Sequence, residues 1–202
     1  MLTIEKVVVD IPELKEYADY GSIRQELNVI IKYFDSSELI DDDGYLFDAI
    51  ATAALVKYAR IFKSGVRFKV SASEVGFSPD ELEAHNYMIS LRDKHVSHSV
   101  NHYERAQVVA HLEFEDRSKN VRVSSISTEP SRVLMTKSNL WCIYELSKKV
   151  RDYIDRELIN KYPESYNLVA GMTQDELKAL RKPQPLQINH LKVANARKVK
   201  KP

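Results

Sequence analysis

A single cysteine, Cys142, leaves no intrachain disulfide to form. That excludes a disulfide-stapled secreted scaffold and makes a reducing cytoplasm the expected setting. Only 5 glycines and 7 prolines are spread over 202 residues, which argues against a loop-rich or repeat-turn architecture. No apolar run approaches the roughly 18 residues that a bilayer-spanning helix needs, so no membrane partner is expected. The longest such run, from Ala49 to Val56, is broken by Lys57 and belongs to an amphipathic helix. The stretch from Met1 to Asp10 lacks a cleavable signal pattern. Neither sign of charge dominates, with 30 basic against 29 acidic residues.

What is present suits a globular chain. A hydrophobic share of 44% is enough to build a core. One domain is expected over 1–182, followed by a basic tail over 183–202. From Leu191 onward five lysines and arginines occur with no acid; the remaining 25 bases then face 29 acids, so the body carries −4 and the tail +5. The tail reads as a solvated, solubilising end, with non-specific phosphate affinity as the alternative.

Periodicity predicts a mainly α fold. Residues 1–9 alternate weakly and suggest a short strand. Leu14, Tyr17, Ile23, Leu27, Ile30, Ile31 and Phe34 recur every three or four positions and predict a helix over 13–35, with Gly21-Ser22 as a place to bend. A second helix is expected over 45–63, its small residues at 49, 51, 53 and 54 favouring close packing. Residues 64–78 read as a loop, with 66–70 extended. Ser78-Pro79-Asp80-Glu81 supplies a cap, a first-turn proline and acids at the start of a third helix over 79–97. The period then switches to two. Val108 to Phe114 and Val121 to Ile126 predict a β-hairpin over 106–127, and 133–135 suggests a third short strand. A long helix follows from Thr136-Lys137-Ser138-Asn139 to 161, then a short one over 173–181, ended by Pro183. The expected architecture is a helical bundle with a hairpin inserted between its third and fourth long helices.

Three of the 6 histidines, His95, His98 and His102, fall within eight positions and follow Arg92. On an ideal helix with Arg92 at 0°, His95 falls at about 300°, Ser99 at about 340°, His102 at about 280° and His98 at about 240°. The three imidazoles share one sector with the guanidinium at its edge, while Asp93 and Lys94 point elsewhere. Three readings are open. The histidines cap carbonyls and meet the dipole at a helix end. Alternatively, they chelate a metal, although neither Asp93 nor Glu104 clearly completes a ligand set. The third reading is phosphodiester cleavage: a histidine moves the 2′-hydroxyl or leaving-group proton, and Arg92 meets the charge that builds on the non-bridging oxygens.

The same residues carry a resemblance. Arg92, five intervening residues and His98 match the R-x(4–6)-H signature of the HEPN superfamily (higher eukaryotes and prokaryotes nucleotide-binding). Arg92-Asp93-Lys94-His95-Val96-Ser97-His98-Ser99 looks like the RDKxxAHS form of abortive-infection-type members, with Ser97 in place of alanine. The text over 54–62 resembles the helix that precedes this motif. The resemblance implies a core of four to five helices paired as a homodimer. It further implies a metal-independent endoribonuclease, without cofactor, whose composite site forms at the dimer interface. RNA is the implied substrate, an antitoxin protein a possible partner, and a toxin or antiphage effector the implied role. Arg92 would bind the scissile phosphate and His98 act as acid or base; Asp93 would orient Arg92; Lys94, His95, Ser99 and His102 would be auxiliary contacts. The alternative is a non-catalytic member that binds nucleotide, nucleic acid or protein. The hairpin departs from the plain helical core.

Elsewhere the bland readings are preferred. Tyr58 is expected in the core and Arg60 in a structural ion pair. Residues 64–67 read as a plain turn, Trp141, Tyr144 and Tyr153 as an apolar stripe, and Cys142 as a buried, inert thiol.

Overall fold

A computed structural model describes residues 4–37, 44–63, 68–96, 106–114, 121–130 and 135–184. A short 3-10 turn, Pro12–Leu14, leads into α1 (Lys15–Ser37); α2 (Tyr45–Ile61), α3 (Ala72–Val75) and α4 (Pro79–Leu91) follow. A π-helical turn, Arg92–Val96, continues α4. The hairpin strands are β1 (Ala106–Phe114) and β2 (Val121–Pro130), and α5 (Lys137–Ala170) and α6 (Gln174–Ala179) complete the chain. The described part is therefore mainly helical with one two-stranded antiparallel hairpin. None of its helices is long and apolar enough to cross a membrane.

The core lies where α1, α2 and α5 pack on one another. Ile23, Leu27 and Ile30 on α1 are fully buried, at the three- and four-residue spacing that puts them on one stripe. They meet Ala51, Ala54, Leu55 and Tyr58 of α2 and Ile143, Val150 and Ile154 of α5. Ala51 and Ala54 lack side-chain bulk, which lets α2 sit deep between its neighbours. Polar groups tie the ends of these helices together. Asp48 accepts a hydrogen bond from the Met135 backbone N–H at 2.8 Å, anchoring the entry to α5 on α2. Asp19 accepts from the Phe68 N–H at 2.8 Å and from Lys15 Nζ at 3.1 Å.

The helix starts follow the cap chemistry in the sequence. At α5, Asn139 N–H donates to Thr136 Oγ1 at 3.3 Å and Thr136 N–H donates to Asn139 Oδ1 at 2.9 Å. Removing this hydroxyl leaves an orphan donor in the first turn, so Thr136→Ala is expected to cost about 1 kcal/mol. A urea unfolding midpoint that does not move would contradict this.

Four expectations need correction. Residues 4–10 form no strand; the Val8 N–H donates instead to the Arg181 carbonyl at 2.9 Å, tying the N-terminal segment to the chain after α6. The stretch read as a loop over 64–78 contains α3, a single turn that Ser71 and Glu74 cap reciprocally. The third long helix stops being α-helical at Leu91 rather than 97. The fourth runs on to Ala170, through Pro163, whose missing N–H leaves the Ile159 carbonyl without its helical partner. The possible strand at 133–135 and the tail beyond 184 lie outside the described residues, apart from Met135, which is buried and not in a strand.

The hairpin extends the predicted range by three residues. Val108 pairs with Thr128, Ala110 with Ile126, Leu112 with Val123 and Phe114 with Val121. The β2 apolar positions 121, 123 and 126 are spaced by two and then three. A β-bulge opposite His111 and Leu112 absorbs the extra residue. All of these apolar side chains therefore stay on one face of the ribbon.

Candidate functional site

The site grows from the end of α4. Ser78 and Glu81 open that helix with a reciprocal capping box, in which Ser78 N–H donates to Glu81 Oε2 at 2.6 Å. Lys149 on α5 also donates to Glu81, which fixes α4 against the bundle. Together the Lys149 ammonium and the Ser78 N–H hold the Glu81 carboxyl below its ordinary range. The opposite end of α4 passes at Arg92 into the π-helical turn. Such turns widen the helix by one residue per turn and recur at functional positions.

Arg92 Nη1 donates to Asp93 Oδ1 at 3.0 Å, and Lys63 Nζ donates to Asp93 Oδ2 at 2.5 Å. Asp93 thus joins two cations, one from the π-turn and one just past the end of α2. Lys63 first and Arg92 second hold the Asp93 carboxyl below its ordinary range, so it stays ionised near neutrality. The Arg92 side chain is 30% exposed, while its Nε is sealed from solvent and meets no hydrogen-bond partner. An ideal-helix projection turns Asp93 away from Arg92. The two side chains nevertheless meet, because the backbone has left α-helical geometry and a flexible guanidinium reaches back to its neighbour.

Of the other predicted site residues, Lys94 is exposed, and His95 contributes its backbone to the π-turn. His98, Ser99 and His102 lie outside the described residues. The expected shared sector of the three imidazoles lies outside the described side chains; within Arg92–Val96 the backbone is π-helical rather than α-helical. Among the described residues, no three His, Cys, Asp or Glu side chains stand close enough to hold one metal ion. Lys63 was not legible as a site residue. Its only signal is a cation at a helix C-terminus, which the helix dipole alone explains.

A second polar cluster sits inside the bundle. The Tyr58 hydroxyl and His85 Nδ1 are 2.8 Å apart, both side chains buried, with Phe62 and Phe77 against the imidazole. Burial raises the Tyr58 hydroxyl well above its ordinary pKa, with the nearby Cys142 thiol adding to the effect. It lowers His85 below 6.5. Both groups are therefore neutral at pH 7. Below 6.5 the unfolded chain takes up a proton that folded His85 refuses, so stability falls as pH drops from 6.5 toward the folded pKa. Above that window the group contributes no pH dependence. The urea midpoint at pH 5.5 is expected to lie below that at pH 7.5, and His85→Phe should narrow the gap. An unchanged gap would contradict this.

Tyr58 takes the core position expected of it, and Arg60 the structural ion pair, with Glu26 on α1. Cys142 is partly buried against the core, and burial raises its thiol pKa, consistent with an inert group. Trp141 departs from the apolar stripe: it is half exposed and lines a cavity of about 380 Å³ with Phe34, Ser37, Phe47, Lys137 and Ser138. Phe47 lies in the first turn of α2 and Lys63 follows its end, so this cavity and the Arg92 cluster lie about 24 Å apart along that helix. No family model, curated protein or solved structure matches this chain.

Proposed function

We propose that the chain is an HEPN-type, metal-independent endoribonuclease whose cleavage site forms where two copies meet. The observation that carries this reading is the held guanidinium of Arg92. It stands partly exposed at the head of the eight-residue stretch, with Asp93 fixing its Nη1 edge. A side chain fixed before substrate arrives spends less rotamer entropy on binding a phosphate, and guanidinium geometry suits phosphate oxygens. Lys63 balances the carboxylate, so the cluster of Arg92, Lys63 and Asp93 keeps a net positive charge facing an anionic backbone.

The chemistry needs only this chain's residues. One His98 takes the proton from the ribose 2′-hydroxyl, and the 2′-oxygen bonds to phosphorus. The bond from phosphorus to the 5′-oxygen breaks, and an imidazolium from the second copy protonates that leaving oxygen. Arg92 meets the charge on the non-bridging oxygens. The products carry a 2′,3′-cyclic phosphate and a 5′-hydroxyl. Lys94, His95, Ser99 and His102 supply further phosphate contacts. The setting this implies is a toxin or antiphage effector restrained by an antitoxin protein. The test is digestion of RNA by the purified chain in excess EDTA, with Arg92→Ala and His98→Ala alongside. A non-catalytic binding domain would retain RNA without fragmenting it.

A further inference from the structure

The β-hairpin has a property that the ribonuclease reading does not use. Its two faces differ in chemistry. One carries Gln107, His111, Glu113, Arg122 and Glu129, with Arg122 Nε donating to Glu113 at 2.8 Å and His111 Nε2 lying 3.0 Å from Ser127 Oγ. The other carries Val108, Leu112, Phe114, Val121, Val123 and Ile126, and no charge. These six remain open to solvent, with Val108 and Phe114 each 72% and Ile126 71% exposed. An isolated two-stranded ribbon is marginal in water, and an apolar face gains stability only when another layer covers it. The bulge in β2 makes the need plainer. It keeps positions 121, 123 and 126 in phase, so the face is continuous rather than interrupted.

We infer that a second copy of this chain covers the apolar face, the two hairpins packing face to face about a two-fold axis as a small two-layer sandwich. Three points favour a copy over another occupant. The face has no charge with which to select nucleic acid, and its charged groups lie on the opposite side. Its open apolar side chains match themselves, which a two-fold interface requires. Covering the six on both copies removes on the order of 1,000 Å² of surface, the size a specific interface must clear. Two sheets so packed sit about 10 Å apart with interdigitated side chains. The inference does not rest on the ribonuclease reading, which needs two copies but not this contact.

Sedimentation velocity of the full chain over a dilution series tests it. The wild type should sediment as a dimer, and Phe114→Glu with Ile126→Glu should weaken dimerisation about 100-fold, since a few large apolar anchors carry most interface energy. His111→Ala, on the polar face, should change nothing. The helical circular dichroism of all variants should match the wild type. If the double variant does not fold, Val123→Ser with Ile126→Ser and concentration-dependent hydrogen exchange at the β1 and β2 amides give the same answer. A monomeric wild type overturns the inference and leaves the face for a different protein. A polar-hairpin variant that stays dimeric and still cleaves RNA also overturns it while sparing the ribonuclease reading; a dimer lost with the hairpin but inert toward RNA supports it and sinks that reading instead.

Discussion

Tyr58→Ala is expected to lower the free energy of unfolding by about 3–5 kcal/mol, the largest stability effect of any single substitution proposed for this chain. Tyr58 is fully buried in the last turn of α2, with Phe62 and His85 rings against its own. Truncation deletes a large apolar surface and leaves a cavity that neighbours on three helices cannot collapse to fill. It also strips His85 Nδ1 of its partner, and an unsatisfied buried polar atom adds about 1–3 kcal/mol. Tyr58→Phe separates the two contributions, because it keeps the ring and loses only the hydroxyl. It should therefore cost about 1–3 kcal/mol. Urea denaturation of both variants at pH 7.5 checks this. Equal losses would show that the hydrogen bond, not the packing, dominates, and a loss below the phenylalanine range for the alanine variant would contradict the assignment of Tyr58 to the core.

Much of this fold was legible because its helices are long and their caps are chemically distinct. Ser78-Pro79-Asp80-Glu81 and Thr136 begin helices where the sequence places them, since a hydroxyl that accepts a first-turn N–H leaves a local signature. The hairpin was legible from its alternation, but the bulge was not read, although the two-then-three spacing of Val121, Val123 and Ile126 encodes it. The helix α3 was missed because one turn has no apolar period; its Ser71-Ala72-Ser73-Glu74 capping box was the available clue. Helix α5 outran its expected end because exposed Pro163 costs one hydrogen bond that solvent can replace.

The candidate site was legible only in part, for a different reason. Arg92 and Asp93 stand adjacent in the chain, yet their contact depends on a π-turn that no periodicity argument anticipates. Lys63 meets Asp93 across 30 positions, and the Tyr58–His85 pair spans 27. Pairings of that kind depend on how α2 lies against α4, which is a property of the packed core and not of either segment alone. The eight-residue stretch could point to chemistry, but not to the cation that balances its carboxylate.

Arg92→Ala is expected to slow RNA cleavage by about 10²–10³-fold, the range for removing one preorganised donor from the charge that develops in a transition state. The loss should appear in kcat, because the non-bridging oxygens carry more charge in the transition state than in the bound substrate. The fold should survive, since Arg92 is 30% exposed and contributes one ion pair at the bundle surface. Arg92→Lys should restore only part of the rate, because an ammonium cannot pair with two oxygens at once. His98→Ala removes the proton carrier and should slow cleavage by about 10²–10⁴-fold, the two substitutions together costing less than the product of the two separate losses.

The most direct test is the end chemistry of RNA incubated with the purified chain in excess EDTA. Fragments should end in 2′,3′-cyclic phosphate and begin with 5′-hydroxyl, and should be lost in Arg92→Ala and His98→Ala variants that keep wild-type circular dichroism. Intact RNA across diverse sequences, or fragments that form only when a divalent metal is restored, would contradict it.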